Sequence, residues 1–274
     1  SLALKLTERL IKLKPQNLSF NKTCFNLQIT EGYWEEAITT YKKINKIKKM
    51  DKETFNKGES ILLFQKAKEL RSEGKTLEAL KISRQALKKS PSLVPNSIFL
   101  AELELLEGQK KRAEAALLNT WKAIPHPDIA KKFAEIENNE SVDARIERFK
   151  KILNVKKTDT ETKTLKAELN ILSENFPEAR RSIIDLIETD KANAKVYTLM
   201  AAIEKGAGSS DAVVKGWLAK AVTAKRSKTW ICSNCDSQSD WVPVCKKCGE
   251  FSTLEWKEEI YENSGRNDQN EILP

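Results

Sequence analysis

The chain has 274 residues, 40% of them hydrophobic and 32% charged, so it carries enough apolar mass for a full core and is not an intrinsically disordered polymer. Nine glycines and eight prolines are few for this length, which points to long helices over sheets and to an all-α fold. The net charge of +9 is spread along the chain, with no arginine-rich arm or aromatic-studded basic strip, and this argues against a nucleic-acid partner.

The chain opens with SLALKLTERLIKLKP, in which Ala3, Leu10 and Pro15 fit the second helix of a two-helix unit. It starts on Ser1 rather than Met, so a fragment that begins inside a repeat is expected, with the first helix of that unit upstream. No apolar stretch approaches the roughly 18 residues needed to cross a bilayer, and no signal peptide precedes the first helix. A punctuation then recurs: Gly, Ala five residues on, a small or apolar residue seven further, then Pro. GYWEEAITTY (32–41) carries Gly32 and Ala37, followed by Ile44 without a Pro. The basic run KKINKIKK (42–49) reads as a solvated helix face. About eight extra residues fall in KKMDKETFNKGES (48–60), predicting longer helices or a longer turn. Gly74, Ala79, Ala86 and Pro91 form a complete copy, and Gly108, Ala113, Thr120 and Pro125 repeat it 34 residues later. Weaker copies centre on Ala144 and Ala179, with Asn139 and Glu174 at the glycine place, and a last one on Ala212.

This is the pattern of tetratricopeptide repeats, which the chain resembles over almost its whole helical part. Gly closes the first helix in a left-handed conformation, the small residue lets the two helices approach, and Pro ends the second. Stacked pairs form a right-handed superhelix whose groove is expected to hold a peptide or protein. Cys24 falls where the repeat packs a large apolar residue and reads as a buried core thiol. His126, the only histidine, lies in the turn IPHPD and is expected to be exposed. The pairs Glu35/Glu36 and Glu102/Glu104, with lysines nearby, read as solvated faces. No P-loop, dinucleotide fingerprint, HExxH or GxSxG string occurs, and a non-enzymatic chain is expected.

The stretch WICSNCDSQSDWVPVCKKCGEFSTLEW (230–256) departs from this pattern. Its spacing is Cys232-x2-Cys235, nine residues, then Cys245-x2-Cys248. Each CxxC turn aims two thiolates at one point, and two turns complete a tetrahedron with no open position, so a structural metal site is expected. Gly249, and Asp236 in the matching place, are predicted to be left-handed, turning backbone N–H groups toward sulfur. Zinc is the expected ion; iron in a rubredoxin-like site shares the geometry, and disulfides would require an oxidising compartment. TWIC and VPVC predict short strands, with the tryptophans over the site or on the last helix pair, so that the module caps the final repeat. The predicted organisation is a repeat array over 1–226, a metal module over 227–256 and a polar tail over 257–274 that frays.

Repeats followed by W-x-C-x2-C, W-x-P-x-C-x2-C-G and F-S-T-L-E-W resemble the C-terminal part of HemY-family proteins in their alphaproteobacterial form. That resemblance implies a scaffold associated with late haem (protohaem) biosynthesis, binding haem-pathway enzymes. It also implies an inner-membrane protein with an N-terminal anchor missing from this soluble fragment and its repeats on the cytoplasmic side. The lipopolysaccharide-assembly regulator LapB resembles the same layout and implies a different role, recruitment of a protease or pathway enzyme.

Overall fold

The computed structural model describes residues 1–258; the expected fraying of the polar tail falls, beyond Glu258, outside the described residues. Thirteen helices come first among them: α1 (Leu2–Leu13), α2 (Leu18–Glu31), α3 (Trp34–Ile47), α4 (Lys52–Ser72), α5 (Thr76–Lys89), α6 (Val94–Leu106), α7 (Lys110–Ala123), α8 (Pro127–Ala134), α9 (Val142–Leu153), α10 (Thr160–Leu172), α11 (Phe176–Glu188), α12 (Ala194–Gly206) and α13 (Asp211–Thr223). Two strands follow, β1 (Thr229–Cys232) and β2 (Leu254–Lys257). Helices pair in sequence order as α2 with α3, α4 with α5, α6 with α7, α10 with α11 and α12 with α13, and α1 takes the second-helix position against α2; α8 packs mainly on α6 and α7, and α9 on α10 and α7. This is a tetratricopeptide-repeat α-solenoid with a small C-terminal four-cysteine module.

The punctuation does what steric reasoning requires of it. Gly32, Gly74 and Gly108 end their first helices at φ of 80°, 79° and 70°, a left-handed turn that a Cβ disfavours. Glu174 makes the same turn at φ 56° without a glycine. Ala37, Ala79, Ala113 and Ala179 are completely buried where paired helices approach. Ala3, Ala144 and Ala212 are exposed instead. In the fourth pair α8 is only 8 residues long, α9 turns Phe149 and Ile152 inward, and Asn139 does not adopt the left-handed conformation. That pair is held by the edge-on contact of Phe133 with Phe149, centroids 5.0 Å apart, and by Arg148 donating to the Phe133 carbonyl at 2.6 Å.

The eight extra residues lengthen the first helix of their unit: α4 runs for 21 residues. Gly58 lies in its buried face, where a Cβ would sit 2.2 Å from the Tyr41 hydroxyl. Burial, with Glu59 beside it, pushes that hydroxyl up to about 12, and it donates to the Thr54 carbonyl at 3.4 Å.

Glu104 corrects the reading of solvated helix faces. It is 2% exposed and accepts both arms of the Arg84 guanidinium, at 2.7 and 2.8 Å. Its partner lies on the preceding pair, so the local charge pattern of α6 could not reveal it. Glu35 and Glu36 do face solvent.

The module does not cap the last pair. Beyond α13 the chain turns back, with the Ala194 N–H bonded to the Lys225 carbonyl at 2.9 Å, and the module lies on the row of first helices α2, α4 and α6 and the start of α8. Phe251 meets Phe25 and Tyr41 with centroids 5.2 and 6.0 Å away, and Trp241 meets Phe64 at 5.7 Å. The physical reason is complementarity: those helices offer aromatic rings to the module, whereas α13 buries no residue at all. Lys257, assigned by composition to the tail, belongs to β2 and pairs with Thr229 of β1.

Gly58→Ala tests the α3–α4 contact. Alanine in an open helix would stabilise by about 1 kcal/mol; here the clash with Tyr41 is expected to destabilise by about 1–3 kcal/mol. A lowered urea midpoint checks this, and a raised one would refute the contact.

Candidate metal centre

β1 and β2 run antiparallel, with Trp230 opposite Trp256 and Cys232 opposite Leu254. VPVC contributes a single bridge, Val244 to Phe251. The two CxxC turns repeat one another. The Asp236 N–H bonds the Cys232 carbonyl and the Gly249 N–H bonds the Cys245 carbonyl, both at 2.9 Å. Asp236 at φ 54° and Gly249 at φ 74° are left-handed, the conformation expected of both.

The four sulfurs converge. All lie within 4.8 Å of one another, and the pairs Cys232–Cys248 and Cys235–Cys245 are each 3.7 Å apart. A tetrahedron with zinc–sulfur bonds of about 2.3 Å has an edge of about 3.8 Å, so the cage fits a four-thiolate ion. A disulfide requires about 2.05 Å. Cys232 and Cys245 are buried. The Ser237 hydroxyl and then the backbone N–H of Cys248 hold the Cys245 thiol down to about 6. Burial alone would raise Cys232, yet the Thr253 hydroxyl, 3.2 Å from its sulfur, and the N–H groups of Asn234 and Cys235 bring it below the ordinary thiol value. The backbone N–H donors and the hydroxyls beside the two sulfurs favour the thiolate, the form that ligates a metal.

Cys24 lies apart from this cluster, 2% exposed in the first pair, where burial pushes its thiol up. His126 is the residue that sequence reasoning misplaced. It is 1% exposed, because the module covers its turn: its ring lies 4.0 Å from Trp256 and 5.7 Å from Trp230, centroid to centroid. Its Nδ1 caps α8 by accepting from the Asp128 N–H at 3.1 Å. The signal was a lone histidine between two prolines ahead of a helix, but only the returning tryptophans reveal its burial.

No family model matches the chain. The chain is similar to a probable magnetosome protein, Mms48, of Magnetospirillum gryphiswaldense, 24% identical over 198 residues that cover 69% of this chain and 44% of that protein. The chain thus spans less than half of that relative's length. Among solved structures, a tetratricopeptide repeat protein from Parabacteroides merdae is 15% identical with a TM-score of 0.34, covering 81% of this chain and 91% of its own. YrrB, a repeat protein with an unusual peptide-binding site, is 13% identical with a TM-score of 0.35, covering 71% and 97%. MamA from Desulfovibrio magneticus RS-1 is 16% identical with a TM-score of 0.32, covering 64% and 95%. At these TM-scores the likeness adds nothing to the helix order and packing described above.

Burial drives the His126 imidazole down to about 4 from its usual 6.5, against a smaller opposing pull from Asp128. The unfolded chain therefore binds the extra proton first. The stabilisation is complete above pH 6.5 and lost as pH falls toward 4, by about 3 kcal/mol. His126→Asn keeps a capping acceptor without the titration, so its thermal midpoint is expected to fall less steeply than the parent's over that range. Parallel profiles would show that His126 contributes nothing to acid sensitivity.

Proposed function

We propose that this chain is a non-enzymatic protein-interaction scaffold whose four cysteines, Cys232, Cys235, Cys245 and Cys248, hold one structural zinc ion. The carrying observation is the closed thiolate cage on a module whose aromatic residues dock on the repeat helices. With four sulfurs around one point the ion has no open position for water or substrate, so its work is to fold the module. A segment of some 27 residues buries too little to fold unaided, and binding of the ion supplies that free energy.

The finer reading is a HemY-like scaffold of late haem biosynthesis, holding pathway enzymes along the repeats, with an inner-membrane anchor in the intact protein. Its support is the motif that frames the cysteines. Trp230, Trp241, Phe251 and Trp256 of that motif are the residues that dock, so a chain sharing the motif would share the arrangement. The similarity to a probable magnetosome protein is compatible with an assembly role. A LapB-like regulator is the second reading, favoured by the packing of the four-cysteine module against the repeats.

Metal analysis is expected to return one zinc per chain, with no reversible visible band; iron with such a band would replace the structural reading by electron transfer. Cys245→Ser, or chelation, is expected to free the module, shifting tryptophan emission to the red while most helical circular dichroism persists. Affinity purification of the full-length protein should recover haem-pathway enzymes. Recovery of a protease or lipopolysaccharide enzyme in their place would favour the LapB-like reading, and recovery of no protein would end the scaffold proposal.

A further inference from the structure

Between the docked module and the stretch from α6 to α8 lies an open cleft of about 540 Å³. Trp230, Trp241 and Trp256 wall it on the module side, and Phe99 and His126 on the repeat side. The charged groups lining it are all acidic, Glu102, Asp128 and Asp240, although the chain as a whole carries a charge of +9. Lys132 neutralises Glu102 at 2.7 Å from outside the cleft. Asp128 and Asp240 stand exposed at its rim.

The floor supplies an independent observation. Because His126 Nδ1 accepts a backbone N–H, the proton of the neutral ring sits on Nε2. That atom is buried without an acceptor, and so is Trp256 Nε1. Native proteins rarely leave two such donors side by side with no partner. A ligand that suits the cleft therefore brings a cation for its walls and rim and an acceptor for its floor. An extended polypeptide carries both, since a carbonyl recurs about every 3.3 Å along it. A simple ammonium ion brings only the first, and a phosphate-bearing ligand meets the wrong sign of charge at the rim.

We propose that this cleft receives a lysine or arginine of an extended segment of a partner protein. The cation lies against the tryptophan faces, where cation–π attraction holds it, and Asp128 and Asp240 balance its charge. A backbone carbonyl of the same segment accepts from His126 Nε2 and Trp256 Nε1. The volume lies within the usual range for ligand sites of about 300–1,000 Å³ and suits one long side chain with its flanking backbone. This site rests on the scaffold reading and gives it a partner chemistry.

The test titrates the zinc-loaded chain with pools of end-blocked nonapeptides bearing one central Arg, Lys, Gln or Glu in a neutral randomised background. Tryptophan fluorescence and calorimetry follow binding. The Arg and Lys pools are expected to bind, the Gln pool about fivefold more weakly, and the Glu pool not at all. Asp128→Asn combined with Asp240→Asn, both at exposed positions, is expected to weaken the Arg pool about tenfold, with zinc content and circular dichroism unchanged. Equal binding of the Gln pool, an unaffected double variant, free arginine amide binding as tightly as the Arg pool, or no binding by any pool would each overturn the proposal. Co-purification separates the two readings. A partner retained equally by the double variant leaves the scaffold standing and removes the cleft; Arg-pool binding by a chain that captures no protein does the reverse.

Discussion

The aromatic seam packs the four-cysteine module, from the C-terminal end of the described chain, against helices near its start. A tandem-repeat solenoid is nearly one-dimensional, each unit touching only its neighbours, so its ends communicate through a series of local interfaces. Here the seam bypasses that series. Phe251 ties the module to Phe25 in α2 and Tyr41 in α3, Trp241 ties it to Phe64 in α4, and Trp230 and Trp256 enclose His126 ahead of α8. One compact module thereby reaches from the first helix pair to the start of α8. Opening the chain at Phe25, Phe64 or His126 also exposes an aromatic ring at the seam.

The thiolate cage and the seam support each other through short covalent distances. Trp230 and Cys232 lie two residues apart on β1, so they project from the same side of the strand, and their partners across the ladder are Trp256 and Leu254. A metal that fixes Cys232 therefore fixes the strand pair that presents both tryptophans to His126. Conversely, the repeat surface removes apolar module residues from water that the module's own core, built on Cys232, Cys245 and Leu254, is too small to cover. The free energy of an ion bound at the four sulfurs would in this way be spread into the repeat array rather than confined to some 27 residues.

What the sequence made legible was what backbone sterics and ligand geometry demand locally. Gly32, Gly74 and Gly108 mark turns that need a left-handed residue, Ala37, Ala79, Ala113 and Ala179 mark close helix approaches, and the CxxC turns mark a point where sulfurs converge. The docking place of the module was not legible, because it depends on complementarity between rings far apart in the chain, and no period encodes that. His126 shows the cost: a turn is exposed unless something returns to cover it. Glu104 repeats the lesson with charge, since its partner Arg84 lies 20 residues away on another pair. Ala144 fails for a different reason, because the short α8 alters the packing to which the repeat alanine belongs.

Self-docking also changes what a repeat groove means in this chain. In a free solenoid the row of first helices is available along its length, and specificity is distributed over many similar units. Here the module covers that row at α2, α4 and α6 and replaces helix surface with tryptophan faces and the acidic rim of Asp128 and Asp240. The tryptophan wall at that position is made jointly by two parts of the chain, and it exists only while the module is docked. An ion held by the four sulfurs would act on this surface without touching it, by fixing the strand pair that carries Trp230 and Trp256.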